Sequence, residues 1–572
     1  LDQKKLCNIS SRINSMAIKH YSSTFLLLGS MASTAHLRAS EPTLHNESHK
    51  EAILQSMVAE FALANGDTAT ALHNYTVLAI RSDSTAVKQH ALNIAIEQND
   101  LQAALDIARH WVLQEPKDVP AKFYLAHIAL KSHEYELAAQ TLDSILNLDS
   151  NADLENILAG ISPETAQDRD SLLKTLNASK AKDNPSILIL IAGLQAQSNQ
   201  LELALKNVNK ALRKRPKVTG FILLKANLLM ALGDDEETLK WFERSSKKNK
   251  NNLEVRLAEA RYLIKINQAE AALDKLAQIT NVWPNADEAL FIAGLTAIDL
   301  KKYDQAEQYL VGLRYSSQYQ NEAYFYLAVN AERKQQEETA KAYYRLVDGN
   351  LYTVSRRNLI SIYDRQGKLN DVLRFLTQER VNYPQHASFL YQAQAEILKR
   401  MGHDKAALRL LDEAVKNLPD DPELVYSQVL LLDPFQNRER LDKALKQLLQ
   451  LEPNSPTYLN AYAYTLALQN RRLDEARRYA ERALEFAPEQ ASILDTLGYI
   501  TFLQNDFDRA SQALGQAYAL SPSVNIGVRY AKSLYMQGAL EKFNQVLQQL
   551  QLNHPNDPQL NQLNSLILPE KH

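Results

Sequence analysis

The chain has one cysteine in 572 residues, Cys7, so no disulfide can close within it and no cysteine-based zinc site can be assembled. Glycine is also scarce, and 15 residues are too few for the many tight turns that sandwiches and barrels require. An excess of one charge is missing. With 64 basic and 67 acidic residues the formal net charge is −3, and no overall field draws nucleic acid or an anionic membrane to the surface. Long apolar runs are absent as well; the run that begins at Phe25 is too short to cross a bilayer, and a transmembrane anchor is not expected. There is no GxGxxG, no GxxxxGK[ST] and no HExxH, and Gly367-Lys368 continues with Leu369, which reads as a turn between helices. Ser171 and Lys174 have the spacing of a serine/lysine dyad without a companion motif. His127 and His133 flank one helix without a carboxylate or cysteine cluster. The expectation is a protein with no catalytic residues, no metal and no cofactor.

What is present is a period. Ala476 and Ala510, Ala483 and Ala517, and Pro488 and Pro522 are each 34 residues apart. In a unit of that length beginning at Ala491, the residues Leu494, Leu497, Gly498, Ala510, Leu514, Ala517 and Pro522 fall at the positions of the tetratricopeptide pattern. Gly498 and Ala510 sit where two antiparallel helices of one unit approach closely, Ala517 packs against the next unit, and Pro522 ends the second helix because it lacks an amide hydrogen and clashes with a continuing turn. Such a unit cannot bury its apolar face alone and is stabilised by its neighbours. With 45% hydrophobic and 23% charged residues, the composition fits a soluble, helix-rich chain. The fold expected is all-α, a right-handed superhelical α-solenoid of stacked helix-turn-helix repeats.

The position-20 residue serves as a ruler through Ala71, Ala104 and Ala138, then Ala204, Thr238, Ala272, Ala306 and Ala340, and finally Val372, Ala407, Ala444, Ala476, Ala510 and Asn544. Helix-ending prolines keep step at Pro116, Pro216, Pro284, Pro384, Pro419, Pro488 and Pro522. Two places break the rhythm: Asn151–Pro185, where repeat residues are lost, and the turn-rich insertion at Asp433–Asn437. Each reads as a drifted repeat, a hinge or a partner loop. Leu560, Leu563, Leu566 and Ile567 have helical spacing and are expected to cap the core.

From Met16 the order is that of a secretory signal, a weakly basic start, an apolar run from Phe25 and small residues through Ala35, with cleavage expected after Ala35 or Ala39; the alternative is a disordered tail. The expected organisation is a signal segment and disordered N-terminus over 1–40, N-terminal repeats with a degenerate unit over 48–185, a central array over 186–432, a C-terminal array over 433–556, and a capping helix and tail over 557–572.

Two surface features stand out. Lys206, Lys210, Arg213 and Lys214 are matched 34 residues later by Lys240, Arg244, Lys247 and Lys248, so stacking should set them side by side on outward second helices, where they could meet phosphate or carboxylate groups. The alternative is an ordinary solvated face. The second feature is aromatic. In repeats of this type the first helix lines the inner curve, and positions 2, 5 and 9 there include Phe291, Phe325, Phe389, Tyr426, Tyr458 and Tyr499, which are expected to contact a partner or else to pack as core.

The last repeats resemble those of proteobacterial envelope tetratricopeptide lipoproteins, among them the outer-membrane adaptor of a carboxy-terminal processing protease. The resemblance rests on Asn460-Ala461, Tyr464-Thr465-Leu466-Ala467 and Ile493 through Tyr499, with a similar stretch from Val58 to Tyr75. It implies a protein-binding scaffold or adaptor, periplasmic and associated with the outer membrane, that recruits or activates a periplasmic protease. Lipid attachment is not carried over, because Cys7 follows Lys4-Lys5-Leu6 and no cysteine lies near Ala35. Other proteins are the expected partners and nucleic acid is not; peripheral membrane association stays open. The alternatives are a cytoplasmic scaffold of the same fold, if residues 1–35 are not a signal, and a repeat arm of a polysaccharide-export or glycosyl-transfer assembly.

Overall fold

The computed structural model describes residues 48–563, apart from 151, 159–160, 162, 164, 556 and 561–562; the expected signal segment, Leu566 and Ile567 lie outside the described residues. Two compact units divide between Gln320 and Asn321. Among the described residues there is no strand, and none of the helices is long and apolar enough to cross a membrane.

In the first unit, helices pair as Ser48–Ala64 with Thr68–Arg81, Thr85–Glu97 with Leu101–Gln114, and Val119–Lys131 with Tyr135–Leu148. After an irregular stretch come Pro185–Gln197 with Leu201–Lys214, Thr219–Ala231 with Asp235–Lys248, Leu253–Lys265 with Ala269–Val282, and Asp287–Asp299 with Tyr303–Val311. The second unit is entered through Gln320–Arg333, paired with Glu337–Leu346, and continues with Tyr352–Arg365 and Leu369–Asn382, Ala387–Arg400 and Asp404–Asn417, and Pro422–Val429 and Arg438–Leu451. Its last pairs are Pro456–Leu468 with Leu473–Phe486, Ala491–Leu503 with Phe507–Leu520, and Val524–Gln537 with Leu540–Asn553.

The two helices of a pair differ in sequence for a packing reason. Pro185–Gln197 is apolar nearly all round because it is covered on several sides, whereas Leu201–Lys214 confines Ala204, Val208, Ala211 and Leu212 to one buried stripe and gives its lysines to solvent. The turn between the pair is built on a left-handed residue. Asn99, His133, Asn199, Gly233, Asn267 and Lys301 of the first unit have positive φ, as do Gln335, Gly367, Gly402, Asn470, Asn505 and Gly538 of the second. The next residue is often an aspartate that caps the second helix: Asp100, Asp234 and Asp506 accept from the amides of Ala103, Glu237 and Arg509. Second helices stop two residues before the rhythmic prolines, as Leu520 does before Pro522.

Close helix contact is confirmed at Gly498, where an added Cβ would lie 2.5 Å from Leu514 Cγ, and it recurs at Gly294 against Leu310. Ala517 joins Leu494 and Ile526 in one buried cluster, which ties its unit to the next. The degenerate stretch keeps its second helix, Ala166–Ala178, but its first is reduced to Glu155–Leu158. Asp143 then holds the following turn by accepting from Ser179 Oγ at 2.6 Å and the Ala181 amide at 2.8 Å. The insertion after Leu432 is tied down as well: Asp433 accepts from the amides of Phe435 and Gln436, and Gln469 donates to the Pro434 carbonyl at 2.7 Å. Leu560 and Leu563 pack with Leu547 and Leu550.

Candidate functional site

In the last three repeats of the second unit, the first helices Pro456–Leu468, Ala491–Leu503 and Val524–Gln537 pack against one another. Arg529 reaches across all three. Its Nη1 donates to Asp495 Oδ2 at 2.5 Å and its Nη2 to the Tyr464 hydroxyl at 3.2 Å, while the guanidinium lies 4.7 Å from the Tyr499 ring centre and 5.7 Å from that of Tyr464. The reach follows from the period, because Asp495 and Arg529 are 34 residues apart and occupy the same place on neighbouring first helices. Burial raises the Asp495 carboxyl above its usual range, against the pull of Arg529. Burial also works against the Arg529 charge, but Asp495 and Tyr464 outweigh it and hold the guanidinium firmly protonated. Beside this clasp is a cavity of about 230 Å³, with Tyr499, Phe502, Asn525, Arg529, Lys532 and Gln559 among its walls. Gln559 fixes one wall by donating to Asn525 Oδ1 at 2.7 Å.

The six aromatic residues expected on the first-helix face do not behave alike. Tyr499 is half-buried and belongs to the clasp. Tyr458 is only 4% exposed and is core: it lies in a cluster with Val425 and Leu466, its ring 5.3 Å from that of Tyr426. Tyr426 keeps a partly exposed edge. Phe389 is half-buried under the exposed Arg357, whose guanidinium is 5.6 Å from its ring centre, and Phe325 packs edge-on against Tyr344 at 5.8 Å. Phe291, in the first unit, lies against Tyr319 with ring centres 5.0 Å apart and planes tilted by 32°. The face is therefore not a row of bare rings. Arg357 over Phe389 and Arg529 over Tyr499 offer cation–π and hydrogen-bonding contacts together.

The basic residues lie where the period places them. Lys206, Arg213, Lys214, Lys240, Arg244, Lys247 and Lys248 are exposed and Lys210 is half-exposed. The field is diluted, however: Lys240 pairs with Glu236, Lys247 with Glu243 at 2.7 Å, and Lys214 donates to the Asp183 carbonyl at 2.7 Å. Their second helix also carries Asp235, Glu236 and Glu237 in its first turn. The hydrogen bond from Lys240 to Glu236 raises the lysine's pKa, the direction expected of an ion pair within one helix. A cleft of about 460 Å³ opens past the end of this ladder, lined by Lys247, Lys250, Arg256 and Lys275 together with Glu243 and Glu259, so its charge is mixed.

Ser171 and Lys174 both face solvent. His127 is half-buried with Nδ1 2.8 Å from the Ile157 carbonyl, and desolvation lowers its pKa; His133 turns instead toward Tyr135 and Asp168. Arg529 is the residue that sequence reasoning missed. Its signal was there, a basic residue one period after Asp495, but a charge pair across repeats is visible only once the stacking is known.

Family models described as tetratricopeptide repeat match residues 257–319 and 502–567. The chain is 25% identical over 494 residues to the TPR repeat-containing protein PA4667 of Pseudomonas aeruginosa, covering 86% of this chain and 83% of that one. It is similar over 162 residues to the BBSome complex member BBS4 of Bos taurus, at 26% identity, covering 28% of this chain and 31% of that one. It is 33% identical over 90 residues to the protein O-mannosyl-transferase Tmtc2 of Drosophila melanogaster, 15% of this chain and 10% of that one.

Proposed function

Because the chain is built of tetratricopeptide repeats, we propose that it is a non-catalytic protein-binding scaffold, and that it works in a bacterial envelope as an adaptor that recruits or activates a periplasmic protease. One observation carries the binding role: Arg529, Tyr464 and Tyr499 converge from three successive first helices beside a cavity. Tyrosine and arginine dominate interface hot spots because they combine a large apolar area with a polar group that can be satisfied on binding. The Asp495 ion pair holds the arginine in place beforehand, so little side-chain entropy is lost when a partner docks. The envelope location is supported by the signal-like order from Met16 to Ala35 and by the resemblance to envelope lipoproteins.

The test is capture from an envelope extract on the unmodified protein and on Arg529→Ala and Tyr499→Ala variants, with the mature N-terminus sequenced from the producing cells. A processing protease retained by the unmodified protein and lost from both variants, on a chain beginning near His36 or Ser40, is the expected result. Retention unchanged in both variants would remove the clasp as the binding surface, and a chain with residues 1–35 intact in the cytosol would remove the envelope location.

A further inference from the structure

Positions 3, 7 and 10 of each first helix form the face turned to the preceding repeat. In the second and third repeats these residues are Val87, Ala91 and Ile94, then Ala121, Leu125 and Ile128; all of them belong to the core or pack against it, in helices that lie on the second helix before them. In the first repeat the same positions hold Leu54, Val58 and Phe61, which are 62%, 41% and 73% exposed. Ile53 and Met57 are exposed beside them. The residue types are those of a covered face, yet nothing among the described residues covers it.

We propose that this face is a homodimer interface, in which two copies pair their Ser48–Ala64 helices antiparallel around a twofold axis through Met57. Three features select a second copy. Ile53, Met57 and Phe61 are four residues apart and form one row symmetric about Met57, so a twofold axis there sets Ile53 of one copy against Phe61 of the other. The same register sets Glu60 against Leu54 and Glu51 against Leu63, so no acid meets an acid. The apolar area suits a dimer: five such side chains expose on the order of 500 Å², so two copies together would bury the ~1,000 Å² that a specific interface must clear. An open cleft of about 510 Å³ beside Met57, Val58 and Phe61, rimmed by Asn65, gives the partner's Ile53 room to seat.

The test is the solution mass of the full chain by light scattering across a concentration series, for the unmodified protein and for Met57→Glu, Phe61→Glu and Leu430→Glu. Leu430 is a control, an exposed apolar residue of the second unit. The expected result is a mass of two chains that falls to one for Met57→Glu and Phe61→Glu with helical circular dichroism retained and stays at two for Leu430→Glu. A single-chain mass throughout would overturn the proposal and leave the face to residues 1–47 or to a different protein. A dimer that survives both Met57→Glu and Phe61→Glu would overturn it equally.

Discussion

Arg356 and Glu379 form an ion pair inside the second unit, Nε to Oε2 at 2.6 Å, with the guanidinium fully buried and the carboxylate nearly so. The same guanidinium donates to the carbonyls of Tyr344 at 2.7 Å and Val347 at 3.0 Å, lies over the Tyr352 ring at 4.1 Å, and shares Glu379 with the Tyr352 hydroxyl. Those carbonyls close the ten-residue helix Glu337–Leu346, so the arginine replaces the missing last turn as the partner of its end.

Removing one side of such a pair strands the other charge. Arg356→Ala should cost about 3–5 kcal/mol, and the double variant Arg356→Met with Glu379→Leu should recover much of it because neither charge is then buried. Urea unfolding followed by circular dichroism measures both, and a loss under about 1 kcal/mol in the single variant would contradict this account.

Gly498→Ala should destabilise by about 1–3 kcal/mol, since its new Cβ would meet both the Leu514 side chain and the Leu514 backbone nitrogen, which cannot move aside. Gly193→Ala is the contrast. That glycine sits inside a helix with nothing within 4 Å of an added Cβ, and the change should stabilise by roughly 0.5–1 kcal/mol. The comparison needs only melting curves of the two variants.

Tyr499 and Tyr458 should separate binding from packing. Tyr499→Ala is expected to weaken partner capture by about 1–2 kcal/mol with melting little changed. Tyr458→Ala should lower stability by about 3 kcal/mol or more through the cavity it leaves, and reduce capture only as far as the repeats unfold. Capture and melting measured on the same samples distinguish the two.

Asp442 gives a pH signature. Burial works to raise its pKa, but hydrogen bonds from Tyr462, Lys446 and Arg472 outweigh burial and hold it at about 2, below the ordinary 3.8. A carboxyl depressed in the folded state adds stability that is fully present above the unfolded value and is lost as pH falls through the folded one. Between about pH 4 and pH 2 the unmodified protein should therefore lose more stability than Asp442→Asn. Parallel urea midpoints across that range would sink the assignment.

Much of the fold could be read from the chain. The ruler alanines are buried because two helices meet there, and the prolines end helices because the ring forbids a further turn. The left-handed Asn and Gly ladder also lies in the sequence, at nearly the same period, although its meaning depends on a turn that each repeat must make. The candidate site was only half legible. Tyr499 and Tyr458 both occupy positions of the first-helix face, yet one borders a cavity and the other is core.

Sequence alone determined the repeat, its length and its helix ends, because these depend on local sterics and on the spacing of small and apolar side chains within a single unit. Tertiary structure decided which charges meet. Asp495 finds Arg529 one repeat away, and Arg529 finds Tyr464 two repeats away. Such pairings depend on how far a flexible side chain reaches across stacked helices and on how much water remains around it, quantities that exist only after the repeats have packed.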